Sequence, residues 1–399
     1  MAAKLNDTSD NIRESLAVIA GHFMNDFYMN LIPPILFIFA GNLQLTMAQQ
    51  GMLSATIVIG GSFAQPGIGL LVDKKGQPWL LIMAVLWVAV WMSVSGWIEN
   101  YYLLLVVLGI GSLASALYHP LGSAIMVQLG KKSKGKSLSL FMTIGALAAS
   151  VSPITALPVV SRFGLKSLIY FVIPGIITAV FMYWARIKKI RLQQVNGQDM
   201  ISKGDWLKQN IKGTSIMVLI STNQEFIRRL FITFGGQFLL LKGISMMLTG
   251  VILSAYLFGN AAGTLIGGYL SDKNDDKKVI IGGSLLITIC VGAFLLSSIR
   301  LVAVLAFIMI GVATGSLYIS SIILTQGLIP HRVNMATGLI MGLASSLGGL
   351  GLLPFGWFAD NSSLLSAAWL LFIPLILTNI LTTIIPKERS DSHLSESSK

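Results

Sequence analysis

The chain has 399 residues, of which 54% are hydrophobic and only 11% charged, with a mean hydropathy of +0.77 and a net charge of +12. Soluble domains carry about 25% charged residues, so a soluble globular fold is excluded. The single cysteine, Cys290, excludes an intramolecular disulfide and a cysteine-cluster metal site.

A bilayer core about 30 Å thick needs roughly 20 apolar residues per helix. Taken in chain order, twelve such runs follow a polar leader, 1–14. They are continuous rather than alternating, which predicts helices and not barrel strands. The first, 15–40, is too long for a signal-peptide core and lacks a small-residue cleavage signature, so it reads as a retained helix. It contains the string Gly21-His22-Phe23-Met24-Asn25-Asp26. His22 and Asp26 are four apart and share a helix face. An imidazole beside a carboxylate suits proton exchange, because histidine changes charge within the physiological range. The same residues, with Asn25, equally suit a polar cluster that bonds neighbouring helices. An ionisable group inside a bilayer is a functional-site hypothesis by default.

The runs 48–72, 79–98, 102–128, 137–160 and 167–187 complete a first set of six. The fourth holds Leu117-Tyr118-His119-Pro120. Pro120 frees a backbone carbonyl one turn earlier. His119 is then available to a substrate, to a proton or to that carbonyl. The longest polar stretch, 188–212, separates this set from a second: 213–240, 245–270, 279–298, 301–325, 336–359 and 364–385. The polar tail 386–399 reads as disordered.

The seventh run is the odd one, since Ser221 to Arg229 reads STNQEFIRR. Glu225 can pair with Arg228 or Arg229 at i+3 and i+4, acid before base. A charge at a helix centre costs about 2.5–3.5 kcal/mol on translocon scales, so such residues belong against a polar cavity. One pair would leave a spare guanidinium suited to phosphate, phosphonate or carboxylate. The other reading shifts Ser221 to Arg229 toward the linker.

The two sets repeat. Asp26 precedes Asp73 by 47 residues, and Glu225 precedes Asp272 by the same 47. Gly111 to Tyr118, GSLASALY, is echoed at an offset of 200 by Gly311 to Tyr318, GVATGSLY, and Pro153 by Pro354 at 201. Parallel halves of this kind place a substrate near the midplane between them. With both termini inside, 22 Lys and Arg fall on the cytoplasmic side and 4 on the other, leaving Arg228 and Arg229 within a span. That is the positive-inside distribution, so the basicity reports topology and not a nucleic-acid partner.

The loop Gly69-Leu70-Leu71-Val72-Asp73-Lys74-Lys75-Gly76-Gln77-Pro78 resembles the cytoplasmic loop motif of the major facilitator superfamily, departing at Gln77 and Pro78. Its counterpart keeps Gly268, Asp272 and Lys273, with Asp275 where the motif has glycine. The first-run and fourth-run strings, with Ala262 to Gly268 and Gly338 to Pro354, resemble the fosmidomycin-resistance branch of that superfamily. Branch members carry a Glu shortly after His-Pro. Leu121 and Gly122 stand there instead, so the branch's substrate does not carry over directly.

The resemblance implies an all-α integral membrane protein of twelve helices in two six-helix halves, 15–187 and 213–385. It implies a proton-coupled secondary transporter in a cell (inner) membrane with both termini cytoplasmic. A small anionic or amphiphilic solute would be exported by a monomer without cofactor or metal. Asp26, His22 and Glu225 are the candidate proton-coupling residues. Arg228, Arg229, Asn25, Tyr118, His119 and Gln237 are the candidate substrate residues. Gly69, Asp73, Lys74, Gly76, Gly268, Asp272 and Lys273 are the candidate cytoplasmic gate. The alternatives are a transporter of a polycarboxylate or carboxylate siderophore, and a sensor or scaffold that does not transport. No Walker loop, nucleophile elbow or metal-ligand spacing suggests an enzyme.

Overall fold

The computed structural model describes residues 2–65, 68, 77–130, 134–190, 205–329 and 333–385. The gate residues Gly69, Asp73, Lys74 and Gly76 lie outside them. All regular structure among the described residues is helical.

The first span comprises α1 (Ala2–Met29), a 3-10 turn at Pro33–Ile35 and α2 (Leu36–Leu43). The break follows from Pro33 and Pro34, which have no N–H to continue the helix. Of the carbonyls released there, that of Asn30 accepts from Ser152 Oγ at 2.8 Å. Then come α3 (Met47–Ser62), α4 (Leu80–Val94), α5 (Tyr101–Leu129), α6 (Lys134–Phe163) and α7 (Val172–Trp184). The second set is α8 (Asp205–Thr233), α9 (Gly235–Leu241), α10 (Met246–Lys273), α11 (Asp276–Leu296) and α12 (Arg300–Leu328). The eleventh span follows, as α13 (Val333–Gly338), a π-helical stretch at Leu339–Ala344, α14 (Ser345–Leu350) and α15 (Leu352–Asn361). The last is α16 (Leu364–Ala368) with α17 (Phe372–Thr383).

Two boundaries differ from the sequence reading. The leader 1–14 is helical from Ala2 and merges into α1, and α8 starts at Asp205 inside the expected linker. The cause is common to both: helical backbone continues past the end of the apolar run, where hydropathy carries no signal. Among the described residues ten helices are long and apolar enough to cross a membrane. The other two spans are α3, described only to the edge of the undescribed loop, and α8–α9, whose run 213–240 carries three charges. Aromatic and aliphatic side chains such as Trp87, Leu103, Val180, Ile289, Leu305 and Ile373 face outward. In water such a surface would associate, but against lipid tails it is solvated.

Within each set, the first span is central. Helix α1 packs on α4, α5, α6 and α7, and α8 packs on α12, α14 and α17. Small residues permit the closest crossings. A Cβ at Gly263 of α10 would strike the Val312 carbonyl of α12, and one at Gly315 would strike the Asn260 carbonyl.

The two sets meet through α6 against α10 and through α3 against α14 and α15. Hydrogen bonds join them at one end. Both Asp360 carboxylate oxygens accept from the first turn of α3, from Met47 N at 2.6 Å and Ala48 N at 2.9 Å. Gln237 Nε2 donates to Gln50 Oε1 at 2.9 Å, the Ser54 and Thr233 hydroxyls lie 2.8 Å apart, and Ile154 N donates to Ser254 Oγ at 2.9 Å. Gly356 lets the α15 backbone lie directly on Met47 and Ala48. From this closed end a cavity of about 260 Å³ runs between the sets, along α3 from Ile57 to Ser62 and on to Gln65.

Candidate functional site

One wall of the cavity is built by α1, α5 and α6. Asp26, His119 and Gly145 line it, and His22 lies behind them, fully buried. His22 stacks on the Phe141 ring at 3.6 Å between centroids, nearly parallel, with Tyr118 on its other flank at 6.1 Å. His22 Nδ1 lies 2.8 Å from Phe141 O. A carbonyl oxygen only accepts, so Nδ1 carries the proton and Nε2 presents its lone pair. That lone pair faces Asp26 Oδ2 at 3.3 Å and His119 Nδ1 at 3.3 Å. His119 Nε2 in turn faces Asp26 Oδ1 at 3.4 Å.

The proton inventory of this ring is short by two. With both imidazoles neutral, the single His119 proton serves one of the three approaches, and two are left lone pair against lone pair. Two further positive charges are needed to satisfy the ring. Asn25 Nδ2 holds the carboxylate from the side, donating to Asp26 Oδ1 at 2.9 Å and to Ser115 Oγ at 3.1 Å. Gly145 makes the ring possible, since a Cβ there would overlap Asp26 Oδ2 and the His22 edge.

The facing wall comes from α8, α10 and α12, with Arg228, Arg229, Asn260 and Tyr318 on the cavity. Glu225 is completely buried beneath them. Arg228 clasps it bidentately, Nε to Oε1 at 2.8 Å and Nη2 to Oε2 at 2.6 Å. Arg229 Nε is 3.6 Å from Oε2, beyond hydrogen-bond range, and is buried without a hydrogen-bond acceptor. Two guanidiniums against one carboxylate leave this wall with a surplus positive charge and a donor to spare. Gly348 of α14 presses on this acid as Gly145 does on Asp26: a Cβ there would lie 2.8 Å from Glu225 Cβ.

The structure therefore sets Asp26, His119, Arg228 and Arg229 on one cavity, with His22 and Glu225 directly behind. Three of the expected substrate residues sit elsewhere. Tyr118 is fully buried and its hydroxyl donates to Val18 O at 2.8 Å. Asn25 is buried and turned to Asp26 and Ser115. Gln237 lies at the closed end, bonded to Gln50. The Tyr118 hydroxyl and the Asn25 and Gln237 amide nitrogens are all engaged by protein. The reading that shifts Ser221 to Arg229 out toward the linker is also overturned, because these residues lie in mid-helix with Ser221, Gln224 and Glu225 buried. His119 does not serve the carbonyl released by Pro120; its nitrogens face His22 and Asp26. In the second gate loop Asp272 and Lys273 are exposed at the end of α10, with the Lys273 ammonium 4.5 Å from the centre of the Tyr269 ring, while Gly268 is half-buried. Phe141, Ser115, Gly145 and Gly348 were not singled out. A glycine six or eight residues before Pro354 or Pro153, in equivalent spans, was the one available signal for the last two.

A family model described as Major Facilitator Superfamily matches residues 18–249 and again 214–399. The fosmidomycin resistance protein of Escherichia coli (strain K12) is 27% identical over 384 residues, covering 94% of this chain and 92% of its own length. An uncharacterized MFS-type transporter of Bacillus subtilis (strain 168) is 22% identical over 380 residues, with 92% and 91% covered. Among solved structures, a bacterial homolog to the human lysosomal transporter Spinster, inward-facing and unoccupied, superposes with a TM-score of 0.77 at 12% identity, covering 94% of this chain and 97% of that one.

Proposed function

This chain belongs to the Major Facilitator Superfamily, and we propose that it is a proton-coupled exporter of a small anionic or amphiphilic solute. Membership makes it a multi-pass membrane transporter and not an enzyme. The observation that carries the finer reading is the shared cavity: a proton-deficient Asp26–His119–His22 ring on one wall and an unsatisfied Arg229 donor on the other. An anion seated on Arg229 meets the positive charge that Glu225 does not neutralise, and guanidinium geometry suits phosphate, phosphonate or carboxylate groups. A proton entering the Asp26 ring changes the charge facing that anion across the same cavity. The groups that set its field are His22 and Asp26 on α1, His119 on α5, and Glu225, Arg228 and Arg229 on α8, with the Tyr318 hydroxyl on α12. Solute occupancy and protonation are thereby coupled through the charge of one cavity.

The uneven distribution of Lys and Arg supports a closed end, at Met47 and Asp360, on the outside of an inner membrane, with both termini cytoplasmic. The described conformation then faces inward, ready to load solute from the cytoplasm, and rocking of 15–187 against 213–385 exposes the site to the other face. The resistance relative supports the export direction. A polycarboxylate is the second solute class that the same guanidinium accommodates.

Thermal unfolding of the purified protein with fosmidomycin, inorganic phosphate and citrate, at acidic and alkaline pH, tests the site. At least one anion is expected to raise Tm, the gain to vanish in Arg229→Ala, and its pH dependence to vanish in Asp26→Asn. Stabilisation that survives Arg229→Ala unchanged sinks the assignment.

A further inference from the structure

We propose that the Asp26–His22–His119 ring is a binding site for a divalent first-row transition-metal ion of the Zn²⁺ class. The donor atoms of these residues lie within 4.8 Å of one another. A tetrahedral ion with bonds of about 2.0–2.2 Å holds its ligands roughly 3.3–3.6 Å apart. His22 Nε2 lies 3.3 Å from both Asp26 Oδ2 and His119 Nδ1, two edges of such a ligand set. Two imidazoles and one carboxylate form a donor set that suits zinc, nickel or cobalt.

Two independent features of the surroundings belong to a metal site. A ligating histidine characteristically donates its other ring N–H to a carbonyl or carboxylate, which fixes the tautomer and aims the free lone pair. His22 does this through Phe141 O, and the stacked Phe141 ring holds the imidazole in place. The missing positive charge in the ring is the second feature, since an ion supplies it to all three lone pairs at once. Gly145 keeps the space beside Asp26 and His22 clear, and Asp26 and His119 are part-exposed to the cavity. Three protein ligands with a fourth position open to the cavity is the arrangement of an exchangeable ion rather than a structural one. The surplus charge on the arginine wall works against a bare dication, so an anionic oxygen is the favoured fourth ligand.

Binding requires neither transport nor the arginine wall, so its test is separate from that of the exported solute. Untagged full-length protein in detergent is titrated with Co²⁺ alone, followed by its visible ligand-field absorption, and then with Zn²⁺. One saturable Co²⁺ per chain, displaced by Zn²⁺, is expected. His119→Ala and Asp26→Asn should weaken it at least about tenfold. His331→Ala and His393→Ala, which remove the other two histidines of the sequence, should leave it unchanged. His119→Cys exchanges one donor for another and should add a thiolate-to-cobalt charge-transfer band. That readout reports ligation directly, whatever the variants do to stability. Absence of saturable Co²⁺ absorption in the unsubstituted protein, or retention of the ion in His119→Cys without the new band, overturns the proposal.

Discussion

Glu225 and Asp26 occupy equivalent places in the two halves, yet their neighbours give them different chemistry. Glu225 has no exposure and two guanidiniums above it, so it is a fixed counter-ion. Removing one partner of a buried ion pair costs about 3–5 kcal/mol, because the other charge is stranded. Glu225→Gln is therefore expected to lower Tm sharply, and Glu225→Gln with Arg228→Gln to recover part of the loss. Equal destabilisation by the double variant, read as a double-mutant cycle in thermal unfolding, would contradict the pairing. Tyr118 gives a contrasting expectation. Its hydroxyl bonds Val18 O behind His22, so Tyr118→Phe should cost about 1 kcal/mol of stability and leave anion affinity unaltered. A large loss of affinity in a titration of that variant would return Tyr118 to the cavity wall. Both acids were legible from charge and spacing alone, since a carboxylate in an apolar run stands out wherever the helix faces. What each polar group touches was not legible: the His22 partner, Phe141 O, is 119 residues away in sequence.

At the scale of elements, the closed end is a contact between a carboxylate and a helix start. Asp360 ends α15 and accepts from the first turn of α3, where the helix dipole favours negative charge. Thr46 and Gln49 complete the cap with a capping box. Asp360→Ala removes an inter-half contact that exists only while this end is shut, so it should shift the population toward opening. In a Cys290→Ala background, Ile57→Cys on the cavity should then react faster with an impermeant maleimide from outside. Gly356→Val acts on the same contact by steric means and should shift labelling in the same direction. Unchanged labelling in both would show that the contact does not control the closed state. The sequence pointed to a different pair of loops as the gate, through a recognisable motif at Gly268 and Asp272. Asp360 escaped notice because a lone Asp after an apolar run resembles any exposed loop residue. Its meaning comes from the position of Met47, more than three hundred residues earlier in the chain.

For the whole molecule, the repeat was the most readable feature, because near-constant offsets survive even where residue identities diverge. Hydropathy marked nearly every span, and it failed where functional residues interrupt the pattern, at Ser221 to Arg229. Burial of Glu225 between arginines reconciles that segment with a membrane interior, since the charges neutralise one another and the remainder faces a cavity. The two walls of that cavity belong to different halves, so any motion of one half against the other alters how both walls meet a solute. The central claim is that an inward proton flow drives an anion outward through this site. Everted membrane vesicles carrying an imposed pH gradient, acid inside, measure it most directly. Accumulation of at least one of fosmidomycin, phosphate or citrate is expected in vesicles with the unsubstituted protein. It should collapse when the gradient is dissipated and be lost in Asp26→Asn and in Arg229→Ala. Accumulation that continues in both variants, or that is indifferent to the gradient, would contradict the account.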